Sequence, residues 1–179
     1  VIASQIADSL GISAYNFSYP GSDIEFHEFL LSLYLKNCQK KPSIVVLIAD
    51  DMSELTKSTT IKFRYDRLYP LVKYEEIRNT LIKRGEKKEL LSKLFVLHQL
   101  SRNNFDLRKK KFDKVDTLLN CGSMPITFQN EKFNERYISE ARVFTPDKEL
   151  DVKRNSFLKF IEICHDNNIR LIIAYPPNF

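Results

Sequence analysis

Long apolar runs, metal-binding motifs and phosphate-binding loops are all missing from this 179-residue sequence. No apolar run reaches the roughly 18 residues of a membrane-spanning helix, and the first residues lack the basic start of a signal peptide. The three cysteines are widely spaced, without a CxxC pair or the Cys/His spacing of a zinc site, so we expect buried free thiols. Dinucleotide and kinase signatures are absent as well. The sequence therefore predicts no metal and no cofactor.

Positive charge is concentrated in the middle of the chain. The net charge is +5, but residues 60–115 alone hold 16 Lys and Arg against 7 Asp and Glu. Such a segment can attract an anionic surface such as acidic polysaccharide or lipid, although a solvated helical face is the commoner reason for this charge. Nucleic-acid binding has only the charge in its favour and no recognition motif, so we expect no nucleic-acid partner.

The turn at Pro20-Gly21 is the best candidate for a site. Residues 14–19 are predicted to form a strand before it, and a helix is predicted to follow. Gly21 can adopt a positive φ at little steric cost. Ser22 followed by Glu25 matches a capping box, which predicts that Ser22 caps the helix. Backbone N–H groups at such a turn can hold an anion or a reaction oxyanion, so Gly21 is an oxyanion-hole candidate and Ser22 a weaker binding candidate.

Apolar periodicity predicts the remaining elements. The predicted helices cover residues 1–10, 26–37, 73–83, 87–100 and 145–167, and the predicted strands cover 44–49 and 169–175. The nearly continuous apolar run at 44–49 is typical of a parallel strand covered on both faces. We expect strands 14–19 and 44–49 to form a right-handed βαβ unit, with Pro20-Gly21 and Asp50 at one sheet edge. The overall prediction is one α/β domain over 1–179, with three layers, a short parallel sheet and a helical insertion at 60–116.

Other polar and aromatic residues are weaker candidates. Tyr65, Arg67 and Tyr69 could stack on a ring or sugar, and packing of the aromatic rings within the insertion is the alternative. His27 lies five residues after Ser22 on the predicted helix, so its side chain is expected to point away from Ser22. His98 and His165 are expected to be structural or exposed. No histidine is therefore predicted to act as a base for Ser22.

Three stretches resemble blocks of the SGNH (GDSL-like) hydrolase superfamily, in particular its divergent bacterial members with helical insertions. Residues 15–22 are similar to the second block with its glycine, 41–50 to the strand before the third block, and 169–177 to a late strand that ends in proline. The resemblance implies a flavodoxin-like, SGNH-type fold. It also implies hydrolysis or transfer of an ester on a small-molecule or carbohydrate substrate, in the bacterial cell envelope or periplasm.

On this resemblance Gly21 matches the oxyanion-hole glycine, and Asp50 or Asp51 stands near the place of the third-block asparagine. An ionised carboxylate accepts but does not donate hydrogen bonds, so Asp50 cannot replace the asparagine unless it is protonated. The catalytic serine and the late Asp-x-x-His of the family are not in this sequence. We therefore expect a fragment, truncated at both ends, that is unstable and inactive alone. The alternative is a non-catalytic binding or scaffold domain whose basic insertion engages an anionic surface.

Overall fold

The computed structural model describes residues 3–49, 54–68, 71–84, 119–123 and 148–175. These residues divide into two compact units. Unit 1 comprises the described residues within Val1–Phe17 and Arg64–Phe128, and unit 2 those within Ser18–Phe63 and Gln129–Phe179. Asp50, Tyr69, His98 and the predicted helix at 87–100 lie outside the described residues.

The described residues form helices and two parallel strands. In chain order they are α1 (Ala3–Leu10), α2 (Ile24–Asn37), β1 (Ile44–Ile48), α3 (Tyr65–Leu68), α4 (Glu75–Arg84), α5 (Asp151–Asp166) and β2 (Arg170–Ala174). This mixture confirms the α/β class in its general form. None of the helices in these ranges is both long and apolar enough to cross a membrane.

The parallel sheet of unit 2 pairs β1 with β2. Its register runs from Ile44 opposite Arg170 to Ile48 opposite Ala174, and within the described ranges it has two strands. The predicted strand at 14–19 is therefore wrong, and so is its pairing with β1 in a βαβ unit. The backbone N–H of Asn16 instead donates to the carbonyl of Cys121 at 2.7 Å.

One face of the sheet carries the core of unit 2. Helices α2 and α5 pack against each other. The buried core contains residues from both helices, from β1 and from the position just before β2: Ile24, Leu31, Leu47, Phe160, Cys164 and Ile169. On the opposite face Ile44, Val46 and Ile172 are exposed. The predicted cover on both faces of the strand at 44–49 is therefore wrong.

Helix α5 ends as its sequence predicts but begins later. Asn168 adopts a left-handed φ of 55° just after the helix. The Ile169 N–H then donates to the Cys164 carbonyl at 2.8 Å, which closes a Schellman-type end that leads straight into β2. The helix starts at Asp151, so the start predicted at Thr145-Pro146 is wrong.

The buried face of α5 also differs from its predicted face. The apolar spacing in the sequence predicts a buried face made of Leu150, Phe157, Leu158, Ile161 and Cys164. Cys164 is buried as expected, but the other buried residues of the helix are Lys153, Ser156 and Phe160. Leu150, Leu158 and Ile161 are exposed. The helix is therefore rotated so that a lysine, rather than one of the expected apolar residues, faces the interior.

Unit 1 contains α1, α3 and α4. Gly11 has a φ of 63° after α1, and the Ile12 N–H donates to the Ala7 carbonyl, so Gly11 ends the helix as its sequence predicts. At the other end of α1 the Ala3 N–H donates to the Ser123 hydroxyl at 3.0 Å. Four apolar residues of the α3–α4 segment are buried: Leu68, Val72, Ile77 and Leu81. Within the described part of the predicted insertion, 65–68 and 75–84 are helical and 60–64 are not.

Candidate functional site

The candidate site is a tight turn that leads into α2 in unit 2. The Ser22 N–H donates to the Tyr19 carbonyl at 3.2 Å, and Gly21 has a φ of 68°. Proline followed by a left-handed glycine at the two central positions is typical of a type II turn. The Gly21 carbonyl accepts from the Lys62 N–H at 3.1 Å, so the neighbouring 54–63 segment holds the turn from one side. The positive φ expected for Gly21 is present.

Asp23, not Ser22, caps helix α2. One carboxylate oxygen of Asp23 accepts from the Phe26 N–H at 3.1 Å, and the Asp23 backbone is extended. The prediction that Ser22 is the cap is therefore wrong. Ser22 lies one residue further out, where its hydroxyl is too far back along the chain to reach the third helical N–H. The N-terminal end of α2 is thus already occupied by a carboxylate of its own chain.

The Ser22 hydroxyl lies between a carbonyl and an imidazole. Its Oγ is 2.6 Å from the Tyr19 carbonyl oxygen and 2.7 Å from His27 Nε2. The predicted orientation of His27 away from Ser22 is wrong. A hydroxyl has one proton to donate, and a carbonyl only accepts, so the Ser22 O–H donates its hydrogen bond to the Tyr19 carbonyl. His27 Nε2 must then carry a hydrogen and donate to Ser22, a tautomer assigned from the hydrogen bonds around it.

This arrangement is not a nucleophile with its base. A serine nucleophile donates its hydrogen bond to an unprotonated imidazole nitrogen, which then removes the proton. Here the donor and acceptor roles are reversed. Ser22 is also only 5% exposed, so a substrate has little access to its oxygen. Ser22 and His27 therefore fix the turn rather than react at it.

A buried ion pair holds the start of α2 against α5. The second carboxylate oxygen of Asp23 is 3.5 Å from Lys153 Nζ, and the two side chains are 3% and 6% exposed. Further along the same helices Glu28 pairs with Lys159 at 2.8 Å, and Ser32 donates to the Glu28 carboxylate. The Asp23 carboxylate accepts a hydrogen bond at the N-terminus of α2 and is neutralised by Lys153 of α5. Asp23 therefore connects the turn, α2 and α5, and we call this junction the corner of unit 2.

Aromatic rings support the other side of this corner. Phe26 is fully buried, with its ring 5.7 Å from that of Tyr19 and 5.2 Å from that of Phe63, both edge-on. Phe29 also contacts Phe63 at 5.8 Å. These contacts join both sides of the turn to the segment whose backbone binds the Gly21 carbonyl. The position of Gly21 is therefore fixed by packing as well as by hydrogen bonds.

One hydrogen-bond donor of the turn is the Gly21 N–H. Within the described residues it donates to no acceptor, whereas the N–H groups of Ser22 and Phe26 are both used. A preorganised backbone N–H is the kind of donor that stabilises an oxyanion. The turn can therefore contribute the Gly21 N–H to an anionic group.

The other predicted site residues lie outside the described residues or belong to unit 1. Asp50 and Tyr69 lie outside the described residues. Tyr65 and Arg67 belong to α3 in unit 1. The Tyr65 hydroxyl donates to the Arg84 carbonyl at 3.2 Å, so it connects α3 to the end of α4, while Arg67 is exposed.

The three thiols have different surroundings. Cys164 is buried, and burial raises the pKa of its thiol. Cys121 is partly exposed, and hydrogen bonds from the Ser123 backbone N–H and then the Ser123 side chain lower its pKa. Cys38 is exposed, so the prediction that all three thiols are buried is wrong. No group of three or more His, Cys, Asp and Glu side chains that could hold a metal occurs in the described ranges.

Two residues at this corner were missed by sequence reasoning, although each left a signal. Asp23 directly precedes the apolar run of α2, and Asp is as good a cap type as Ser. Lys153 stands on the same helical face as Phe160 and Cys164, which follow it by seven and eleven residues. A lysine on such a stripe indicates a paired, buried charge. The contact between Ser22 and His27 had no sequence signal, since Ser22 lies outside the helix and helical spacing does not apply to it.

Comparison of the chain with protein-family models, with curated proteins and with solved structures finds no match.

Proposed function

We propose that this chain forms part of an SGNH-like ester hydrolase or acyltransferase, with a flavodoxin-like α/β fold, in which the Gly21 N–H donates to the reaction oxyanion. The observation that carries the proposal is the Gly21 turn. Its left-handed glycine is held by Lys62 on the carbonyl side, while its own N–H donates to none of the described acceptors. The three sequence blocks support the same function. The proposed substrate is an acylated small molecule or carbohydrate of the bacterial cell envelope.

The chain's own residues have positioning roles in this proposal. When a tetrahedral intermediate forms on an ester carbonyl, its oxygen becomes negatively charged, and a fixed N–H stabilises it without reorganisation. Gly21 provides that N–H. Asp23 with Lys153 and Ser22 with His27 keep the turn from moving. We do not assign Ser22 as the nucleophile or His27 as its base, because the Ser22 hydroxyl donates its hydrogen bond to the Tyr19 carbonyl rather than to His27.

Esterase assays test this proposal on the natural protein and on residues 1–179 alone. The substrates are p-nitrophenyl acetate and an acetylated polysaccharide. We expect turnover by the natural protein and none by residues 1–179. Absence of turnover by the natural protein on both substrates, or turnover by residues 1–179, contradicts the proposal.

Gly21→Ala in the natural protein tests the role of the turn. Deleting one oxyanion donor costs on the order of 100-fold or more in kcat, and a shift of the donor by backbone strain is expected to cost at least about tenfold. KM should change little, because the donor acts on the transition state. The matched control is Gly11→Ala, where φ is 63° and an added Cβ meets no atom within 4 Å. Equal kcat values for the two variants refute the role of Gly21.

Ser22→Ala is the complementary variant. Because Ser22 holds the turn but does not react, we expect Ser22→Ala to lower kcat by far less than the roughly 10⁶-fold loss that follows removal of a serine nucleophile. Loss of turnover by a variant whose circular dichroism spectrum is native would make Ser22 the nucleophile, contrary to this assignment.

The second candidate function is non-catalytic binding of an anionic surface by the basic segment 60–115. Within its described part Arg67, Lys73 and Arg78 are exposed, which favours this candidate. Binding to dextran sulfate should then fall steeply between low and physiological salt. Salt-insensitive or negligible binding to dextran sulfate and to anionic vesicles refutes it.

A further inference from the structure

A surface that is both cationic and apolar lies where α3 leads into α4 in unit 1. We define the α3–α4 surface by five residues: Arg67, Leu71, Lys73, Tyr74 and Arg78. Leu71 and Tyr74 are 38% and 53% exposed. Their neighbours in the segment, Val72 and Ile77, are buried. The two exposed apolar side chains are therefore not parts of a poorly packed region, since the same segment supplies the core of the unit.

Hydrogen bonds fix the geometry of this surface. The Tyr74 N–H donates to the Leu71 carbonyl at 3.0 Å, which closes a tight turn. The Arg78 N–H donates to the Tyr74 carbonyl at 3.0 Å, so Tyr74 is the residue that directly precedes the first turn of α4. Arg78 follows it by four positions, a spacing that places two residues on one side of a helix. Lys73 Nζ lies 5.0 Å from the centre of the Tyr74 ring, within the range of a cation–π contact.

Positive charge exceeds negative charge in the segment that carries this surface. Glu75 and Glu76 occupy the first turn of α4, and Asp66 lies in α3, so these three carboxylates equal the three cations of the surface in number. Residues 64–84 as a whole hold six Lys and Arg against three Asp and Glu, and the wider 60–115 segment has 16 against 7. A negatively charged partner is therefore attracted to this part of unit 1.

We propose that the α3–α4 surface docks on an anionic phospholipid bilayer, with Leu71 and Tyr74 entering the interface and the three cations meeting lipid headgroups. A soluble polyanion would engage the cations and leave Leu71 in water. A bilayer interface satisfies both kinds of side chain, and tyrosine, with an apolar ring and a polar hydroxyl, suits the headgroup level. This inference deepens the second candidate function and rests on it. It is independent of ester hydrolysis.

Tyr74→Trp gives a direct reporter, because the chain contains no tryptophan. The full chain is mixed with phosphatidylcholine vesicles containing about one-third phosphatidylserine, with pure phosphatidylcholine vesicles, and with dextran sulfate. We expect sedimentation with the anionic vesicles only, a blue shift of the tryptophan emission, and quenching by brominated lipid tails. Dextran sulfate should not shift the emission.

Substitutions test which side chains contribute, with vesicle affinity as the readout. Lys73→Gln should lower the affinity about fivefold, the usual effect of one cation near an anionic membrane. Leu71→Ser together with Tyr74→Ser should lower it about tenfold through lost apolar burial. The matched controls are Lys40→Gln and Leu158→Ser, an exposed lysine and an exposed leucine in unit 2, which should change nothing.

The possible results distinguish failure of lipid docking from failure of the second candidate function, which is binding of an anionic surface. Binding to dextran sulfate and vesicles alike, without a blue shift, overturns lipid docking and leaves polyanion binding in place. Equal losses in the control and surface variants also overturn it, because the charge would then act without a defined surface. Absence of binding to either anionic partner overturns both the inference and the second candidate function.

Discussion

The buried pair of Asp23 and Lys153 supports a double-mutant cycle that separates helix capping from charge pairing. Asp23 both accepts from the Phe26 N–H and faces Lys153, and both side chains are almost fully buried in unit 2. Asp23→Asn keeps a side-chain oxygen for the cap but removes the charge. Lys153→Met keeps the volume of the lysine stem but removes its charge. The double variant replaces the pair with a neutral one.

The expected costs follow from which group is left uncompensated. Asp23→Asn leaves Lys153 charged and buried, which should lower the free energy of unfolding by about 3 kcal/mol. Lys153→Met should cost less, roughly 2 kcal/mol, because the Phe26 N–H and the helix N-terminus still stabilise the Asp23 carboxylate. The double variant should lie within about 1 kcal/mol of wild type. The coupling energy of the pair is therefore expected to be about 4 kcal/mol.

Urea denaturation followed by far-UV circular dichroism measures these values without a tryptophan signal. Asp23→Ala should cost about 1 kcal/mol more than Asp23→Asn, because it also removes the cap. The pair of Glu28 and Lys159 is the comparison, since the Lys159 side chain is 59% exposed and solvent screens it, so its coupling should be smaller. A double variant whose loss equals the sum of the single losses refutes the reasoning.

Two further predictions concern unit 1. Hydrogen bonds from Ser123 lower the pKa of the Cys121 thiol, so its thiolate persists to lower pH, whereas burial raises the pKa of Cys164. Iodoacetamide at pH 7 should therefore label Cys121 faster than Cys164. Equal labelling rates, measured by peptide mass spectrometry, contradict this. Gly122→Ala should lower the melting temperature far more than Gly11→Ala. Both have positive φ, but a Cβ at Gly122 overlaps the Asn16 carbonyl oxygen and approaches the Tyr15 ring to 2.8 Å, so equal shifts in melting temperature contradict the packing argument.

Local sequence patterns predicted the elements that have one apolar face, and the helix ends that are marked by a glycine or asparagine. Helix α2, strands β1 and β2, and the ends of α1 at Gly11 and α5 at Asn168 all follow from such patterns. The strand predicted at 14–19 failed because the Asn16 N–H donates to Cys121, the Tyr15 ring lies beside Gly122, and the Tyr19 ring packs on Phe26 instead. Strand propensity depends strongly on such context. The layer expected on the second face of β1 failed because alternate residues of that strand are exposed.

In the candidate site, too, local features were predicted from the sequence, whereas features that depend on distant residues were not. The left-handed Gly21 follows from Pro-Gly chemistry alone, which is local. The identity of the cap, the burial of Lys153 and the direction of His27 depend on groups that meet only in the folded chain. Lys153 is buried because Asp23, at the far end of the sequence, neutralises it. Periodicity counts a lysine as a solvent-facing residue, so it rotated the predicted face of α5 away from the observed one.

The pairing of β1 with β2 has a consequence for synthesis on the ribosome. The contact between Lys41 and Asn167, at one end of this sheet, spans 126 residues of sequence. At a translation rate of about 5–20 residues per second, β1 waits roughly 6–25 s for its partner to be made. During that interval α2 and β1 have no α5 to cover them, and their apolar side chains are available to holdase chaperones and to neighbouring nascent chains. Unit 2 therefore completes its core only when the C-terminal strand leaves the exit tunnel.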